Sequence, residues 1–329
     1  MAKDEKLYKF EISHRTIIFT VFFLLFLKFL WIIQDLIFSL FIAFIVTSAL
    51  RPMVNYLIKM KIPKVLACFL VYFSFLGTLI GALSIIFPPL IKETIQLSRQ
   101  LPFIFQKIFP ASNLMFFDWQ SLFQYLPTAT SQVINLISGV FSNVVWFVST
   151  LFFSFYLLVE EDAIKKILAN FFAEEKTKNV VNFVNLLEKK VNSWFWGEIF
   201  LMLIVGSLTY IGLTLIGIKY ALPLAVLAGL LEVVPNLGPT IAAIPAVLVG
   251  FSQSSFLGIA ALALSILVQQ LENNLIVPLV MKKTVGLNPI ITLMALIVGG
   301  KLAGVLGVLL SVPLVVVIQT ILFELLNKK

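Results

Sequence analysis

The sequence is poor in what a soluble enzyme is built from. Charged residues are 12% of its 329, about half the share of a typical soluble domain. It has one cysteine, Cys68, inside an apolar run, and one histidine, His14, beside Arg15 in the basic N-terminal stretch. One thiol cannot close an intrachain disulfide, and no metal-ligand cluster exists. Cys68 reads as a small lipid- or core-facing residue and His14 as a solvated one. These counts argue against metalloprotease, Ser-His and Cys-His chemistry, and so against an enzyme. No Walker motif is present, which argues against ATP-driven transport within the chain. Neither a cofactor nor a metal is expected.

What the sequence has is apolar length. Hydrophobic residues are 60% of the chain and the mean hydropathy is +1.05. Such a chain cannot cover itself with polar surface. It reads as an all-α polytopic integral membrane protein with about eight membrane segments, at about 20 apolar residues per span. The net charge of +8 does not point to nucleic acid, because Lys and Arg fall in short clusters between apolar runs, the positive-inside pattern.

Residues 1–88 are expected to hold three transmembrane helices, 16–33, 36–57 and 65–87. The first is retained, because no A-x-A-like cleavage site follows it. Gln34 and Asp35 would turn between the first two, and Arg51, Lys59, Lys61 and Lys64 make a basic cytoplasmic loop. The third is expected to stop at Pro88-Pro89. Residues 89–138 form an amphipathic extracytoplasmic segment, with Leu97, Leu101, Ile104 and Ile108 on one helical face. It would lie on the outer surface or pack along a partner subunit, or be a plain connecting hairpin. Residues 139–218 hold two spans, 139–159 and 197–218. A cytoplasmic amphipathic helical segment, 160–196, joins them, and Val180, Val184, Leu187, Val191 and Trp194 mark its apolar face. Trp194 and Trp196 sit where an interfacial belt belongs.

Residues 219–329 are the expected transport unit. Between Lys219 and Lys301 the only charges are Glu232, Glu272, Lys282 and Lys283. A carboxylate at bilayer depth costs roughly 2.5–3.5 kcal/mol on insertion scales, so each glutamate should face protein, a cavity or a partner. Each is followed by backbone breakers, Pro235, Gly238 and Pro239 after the first and Pro278, Gly286 and Pro289 after the second. Broken helices at membrane depth are tolerated where protein or a cavity covers the freed backbone groups. Carboxylates beside them are what a secondary transporter's substrate or ion site looks like.

Placing Lys282 and Lys283 inside requires 221–252 to be a re-entrant hairpin from the outer side, tipped at 235–239. A second hairpin then occupies 286–326, with Gly299-Gly300-Lys301 as its expected apex. Both termini fall in the cytoplasm of a multi-pass protein of the cell membrane. The motif Leu231-Glu232…Gly238-Pro239…Gly250 is echoed by Leu271-Glu272…Asn288-Pro289…Gly300, as in an inverted repeat. Glu232 and Glu272 are the candidate proton or cation site; the plainer alternative is that each holds a broken helix end. Asn236, Gln269, Gln270, Asn273 and Asn274 would contact the solute. Lys301 is a candidate counter-ion, or a snorkelling side chain. Arg51 reads as a cytoplasmic anchor, and Gly300, Gly304 and Gly307 as close-packing positions.

The stretches LLEVVPNLGPTIAAIPAVL and QQLENNLIVPLVMKKTVGLNPIITLMALIVGGKLAGVLGVLLSVPL, with the earlier ALRPMVNYL…KIPKVLA, resemble the autoinducer-2 exporter family. The positions that carry the resemblance are Glu232, Pro235, Gly238, Pro239, Gln270, Glu272, Asn274, Pro278, Gly286, Pro289, Gly299 and Gly300. Asn236 departs from the pattern, where an aromatic residue is usual. The resemblance implies a multi-span permease. Some members export the quorum-sensing signal autoinducer-2, and others are sodium- or lithium-proton antiporters.

The expected function is therefore a secondary transporter that moves a small polar solute or a monovalent cation, with protons, by alternating access. A Na⁺(Li⁺)/H⁺ antiporter is one alternative, and a passive pore or a non-transporting scaffold another. The expected partners are membrane lipid, the solute or cation, protons and further copies of the chain, with no nucleic acid.

Overall fold

The computed structural model describes residues 14–108, 144–160, 174–234, 237–280 and 288–327. Every regular element among them is helical: α1 His14–Ile32, α2 Gln34–Lys59, α3 Lys64–Ile108, α4 Val144–Val159, α5 Glu174–Ile216, α6 Ala221–Leu231, α7 Leu237–Gln253, α8 Ser255–Leu271, a π-helical turn Glu272–Ile276, α9 Val277–Val280 and α10 Pro289–Asn327. Among the described residues six helices are long and apolar enough to cross a bilayer, and four shorter apolar ones accompany them. The all-α, polytopic expectation is met.

α1 has no buried residue. It joins α2 through Ile33, across which the bonds Ile33 N–H to Phe29 O and Ile37 N–H to Ile33 O keep a helical pattern. The break thus lies one residue before the expected Gln34-Asp35 turn. α2 runs through Pro52 to Lys59, and beyond its cap Lys61, with a φ of 66°, lets Ile62 N–H reach back to Leu57 O, the hydrogen bond of a Schellman C-cap.

α3 differs from expectation. It is 45 residues long and continues through Pro88-Pro89. Two prolines remove two donors from the ladder, a loss that membrane helices absorb when neighbours cover the freed carbonyls. The continuation is anchored by Leu97, which is buried with Leu224, Val249 and Ala261 of α6, α7 and α8. The beginning of the amphipathic segment therefore packs over the C-terminal half of the protein. Its remainder, residues 109–138, lies outside the described residues.

α4 is fastened to α2 and α3 by hydroxyls. Ser39 and Thr150 share a 2.7 Å hydrogen bond. Thr47 donates to Ser154 O at 3.0 Å, and Tyr72 donates to Leu151 O at 2.7 Å. Cys68 is buried in the same core, near Leu158 O. α5 is 43 residues long, about 65 Å at 1.5 Å per residue. That exceeds a bilayer, so its charged first half extends beyond the apolar half, with Trp194 and Trp196 between them. Arg51 of α2 and Glu188 of α5 form an ion pair near that junction.

α6 and α7 make the first hairpin. α6 has only 11 residues, about 16 Å, roughly half the hydrocarbon thickness. At its tip Val234 N–H bonds to Leu231 O and Gly238 N–H to Val234 O. A Cβ on Gly238 would overlap the Leu231 carbonyl, so the returning arm approaches this closely only with glycine there. Ser254 caps α8, accepting from Leu257 N–H at 3.1 Å.

α10 is two arms rather than one rod. Its backbone leaves helical geometry at Ala303 and Gly304. The expected apex, Gly299-Gly300-Lys301, is corrected by a few residues. Gly304 has φ 58° and ψ −137°, a combination that side-chain-bearing residues avoid, and so it takes the turn. Gly299 and Gly300 remain helical and serve packing instead. Gly299 lies against Gly307 of the returning arm, Gly300 lies beside Val308, and Ser311 Oγ donates back to Ala295 O at 2.8 Å or Gly307 O at 2.5 Å.

Candidate functional site

Two helix ends build the site. Glu232 is the residue at which α6 stops, its N–H bonded to Gly229 O at 3.3 Å in a tightened last turn. Glu272 follows α8 and opens the π turn, where Val277 N–H bonds to Glu272 O, five residues back. The cause is local. Pro278 has no N–H to give to Asn274 O, and its ring crowds that carbonyl, so the helix widens just before it. Such π turns cluster at functional sites.

Glu232 is 3% exposed and Glu272 2%, and their carboxyls are within hydrogen-bonding reach of each other. A bond between two carboxyl groups contains a proton by stoichiometry, since two carboxylates offer only acceptors. The two glutamates singled out by sequence are thus brought together, though 40 positions apart. The sequence echo between them has a structural counterpart. In each copy the glutamate ends a helix, and a proline stands in the first turn of a following helix, Pro239 in α7 and Pro289 in α10. Asn288 caps the latter, accepting from Ile290 N–H at 2.9 Å.

A third carboxyl converges here that sequence reading missed. Glu198 of α5 is 8% exposed and lies close enough to Glu232 and Glu272 for mutual repulsion. None of the three has a basic partner among the described residues, where the ion pair found is Arg51–Glu188. One oxygen of each is buried without a hydrogen-bond partner. Among the described residues no group of three His, Cys, Asp or Glu side chains is gathered closely enough to hold a metal ion. The only signal for Glu198 was its place in an apolar run two residues past Trp196, masked by the charged helix before it.

The neutral candidates separate. Gln269 is half-buried, its amide 3.4 Å from the Thr240 hydroxyl of α7. Gln270 near the end of α8 and Asn273 and Asn274 in the π turn are exposed, with Asn274 donating to Gln270 Oε1 at 2.8 Å. Lys301 is exposed, close to the Ala303-Gly304 break. Pro278 is exposed and Gly238 buried. Pro235, Asn236 and Gly286 lie outside the described residues. A cavity of about 620 Å³ opens at the base of the first hairpin, lined by Gln100, Phe103, Lys219, Tyr220, Val249, Ser252 and Gln253. The length of α6 separates it from Glu232.

Repeated spans, two helical hairpins and a buried carboxyl pair at broken helix ends define a multi-pass α-helical membrane protein with a polar site in its interior. The family follows from comparison: the chain belongs to the AI-2E family of transporters, whose model matches residues 17–327, and it is a membrane transport protein. Two relatives from Bacillus subtilis carry the name "Putative transport protein", YueF and YrrI. YueF is 28% identical over 92% of this chain and 87% of its own length. YrrI is 24% identical over 95% and 94%. YhhT of Escherichia coli, named in the same way, is 27% identical over 85% and 82%.

Proposed function

We propose that the protein is a secondary transporter that moves a small polar solute or a monovalent cation by alternating access, exchanging a proton at Glu232 and Glu272. The observation that carries this reading is the pair itself. Two carboxyls from two broken helices meet in a buried interior, where a proton, a cation or a bound polar group offsets their repulsion. The hairpins of 221–252 and 286–326 are read as re-entrant, supported by the shortness of α6. They would move as a unit against α1–α5. Gln269, three residues before Glu272, would contact the solute, and Asn236 and Lys301 are proposed as further solute contacts. Gln270 of α8 and Asn273 and Asn274 of the π turn would meet solute from their exposed positions. We read both termini as cytoplasmic in a cell-membrane protein, a reading supported by the positions of the basic loops in the sequence. Lipid and further copies of the chain are the expected neighbours of its apolar surface, α1 above all.

Na⁺(Li⁺)/H⁺ antiport is the second reading. It is favoured by the third carboxyl, Glu198, and by the lack of a basic partner among the described residues.

The test uses purified protein in sealed liposomes holding a pH-sensitive dye, with Na⁺, Li⁺ and K⁺ added in turn. Cation-dependent proton movement should fall about tenfold or more in Glu232→Gln and in Glu272→Gln, the equivalent of about 1.4 kcal/mol. Native-rate movement in both folded variants sinks the site. Absence of proton movement with any cation moves the reading to a neutral organic solute, for which uptake of labelled autoinducer-2 is the next assay.

A further inference from the structure

The cavity at the base of the first hairpin plays no part in the carboxyl site. Its volume of about 620 Å³ falls in the range of small-molecule sites. Four helix ends frame it. α5 stops at Ile216, α6 starts at Ala221, α7 stops at Gln253 and α8 starts at Ser255. Ile216 and Ser255 are also the ends of two of the six apolar spans. The cavity therefore lies where apolar helix gives way to the headgroup layer of a bilayer.

Its walls are fixed by the backbone. α5 closes in a Schellman motif, with Gly217 at φ 81°, Ile218 N–H bonded to Leu213 O at 2.9 Å and Gly217 N–H to Thr214 O at 3.0 Å. Ile218 and Leu213 are buried in one core, the apolar contact that accompanies this motif. Gln253 of α7 then clasps the turn, its amide donating to Gly217 O at 3.3 Å and accepting from Lys219 N–H at 3.1 Å. Tyr220 is left-handed, with φ 61° and ψ 33°, a conformation that bulky residues rarely adopt and that clusters at functional sites. The buried Val249 of α7 also lines the cavity and shares a core with Leu97 of α3. Lys219 and Tyr220 are thus held at the cavity by a turn that cannot easily relax.

The charge at the cavity has one sign. Among the described residues that line it Lys219 alone is charged, and among the described residues it has no acidic partner. Gln100 of α3 and Ser252 of α7 add neutral polar groups, and Gln253 keeps one amide hydrogen that the clasp does not use. Phe103, also in the lining, is 74% exposed, and on the framing helices Leu215 and Phe256 are 82% and 77% exposed.

We propose that this cavity holds the head group of an anionic phospholipid, with Lys219 against its phosphodiester. Gln100, Ser252 and Gln253 would hydrogen-bond to the phosphate and glycerol oxygens, and Phe103 and Tyr220 would lie along the start of the acyl chains. A lysine and an aromatic residue at the end of a span are drawn to a membrane surface in general; the preformed cavity makes of that attraction a site. A soluble phosphate ester presents the same charge. The lipid is favoured by the position of the cavity at two span ends and by the exposed Leu215 and Phe256 beside it. The lining comes from α3, the α5–α6 turn and α7, so an occupied site ties these elements together and stabilises the fold. The site does not depend on what the carboxyl pair carries.

The test follows the melting temperature of the purified full chain in dodecyl maltoside while dioleoyl phosphatidylglycerol, dioleoyl phosphatidylcholine or sn-glycerol 3-phosphate is added. Phosphatidylglycerol should raise it saturably and at lower concentration than phosphatidylcholine. Lys219→Gln should weaken the apparent affinity for phosphatidylglycerol about fivefold, and Lys219→Arg should keep it. Lys59→Gln, at the end of α2, should bind as the native chain does. To locate the lipid, Ser252→Cys is made in a Cys68→Ala background, which leaves one thiol. Phosphatidylglycerol should slow its reaction with a water-soluble methanethiosulfonate severalfold. Equal affinity in the native chain and Lys219→Gln overturns the site, as does an equal loss in Lys59→Gln, which means surface charge only. An equal shift with phosphatidylcholine overturns the anionic head group. The same shift with glycerol 3-phosphate alone overturns the lipid and leaves a soluble phosphate ester as occupant. A thiol at 252 that phosphatidylglycerol does not protect overturns the location.

Discussion

The two halves of the protein treat buried polar groups in opposite ways. In α2, α3 and α4 the buried hydroxyls, Ser48 apart, are paired off. Ser39 meets Thr150, Thr47 meets the Ser154 carbonyl, and Tyr72 reaches both the Leu151 carbonyl and the Ser154 hydroxyl. Such bonds hold helices together where lipid gives no hydrophobic drive for association. In the hairpin unit and the α5 face beneath it, three carboxyls are buried with an oxygen left over on each. An unsatisfied buried charge is costly, so sequences keep it where it is used. The comparison separates a scaffold, which spends polar groups on cohesion, from a working unit, which leaves them open for a mobile ligand.

The largest expected effect comes from swapping the roles of these two kinds of polar group. Glu232→Gln together with Glu272→Gln should abolish proton movement while the melting temperature in detergent holds or rises. Two amides bond to each other without needing a proton, and a buried charge is removed. The matching change in the scaffold, Ser39→Ala with Thr150→Val, should do the reverse, lowering the melting temperature and sparing flux. If the glutamate variant unfolds and still transports, the division of labour is wrong.

Next is a backbone contrast. Gly238→Ala drives a methyl into the Leu231 carbonyl and should cost about 1–3 kcal/mol, seen as a lowered melting temperature together with lost flux. Gly81→Ala, in α3 where nothing lies within 4 Å of the added carbon, should be neutral or gain up to about 1 kcal/mol from helix propensity. Equal effects at the two sites would mean that the hairpin tip has no special geometry.

Pro278→Ala gives position 278 an N–H to offer Asn274 O. The π turn should relax toward regular α-helix, turning Glu272 away from Glu232. Stability should rise by a few tenths of a kcal/mol or more, and flux should fall severalfold. Unchanged flux would show that the widened turn does not aim Glu272.

How far this was legible depends on whether the signal was local. Glu232 and Glu272 announced themselves because each is a lone charge in a long apolar run with prolines beside it, and charge at bilayer depth is expensive. Their meeting agrees with the sequence echo between them. Glu198 is equally buried but sits just past a helix bearing Glu188, Lys189 and Lys190, where another acid is ordinary. Only the packing of α5 under both hairpins makes it special. The second hairpin was readable from its glycines, but Gly299, Gly300, Gly304 and Gly307 look alike in one dimension. Which of them turns and which packs is decided by backbone angles at Gly304 and by contact between Gly299 and Gly307. Pro88-Pro89 reads as a stop, and α3 passes through it because Leu97 finds a core beyond.

The smallest effect probes the scaffold side of the comparison most directly. Tyr72→Phe removes one hydroxyl and keeps the ring, which stacks edge-on against Phe155 at 5.5 Å. The loss is the bond to Leu151 O at 2.7 Å and the 2.9 Å contact with Ser154 Oγ. Ser154 retains its own bond to Leu151 O, so the carbonyl is not abandoned, and interhelical bonds of this kind average about 0.6 kcal/mol. The melting temperature should drop slightly and flux should stay native. A flux defect as large as that of Glu272→Gln would place Tyr72, and α3 and α4 with it, inside the working unit rather than in the frame that holds it.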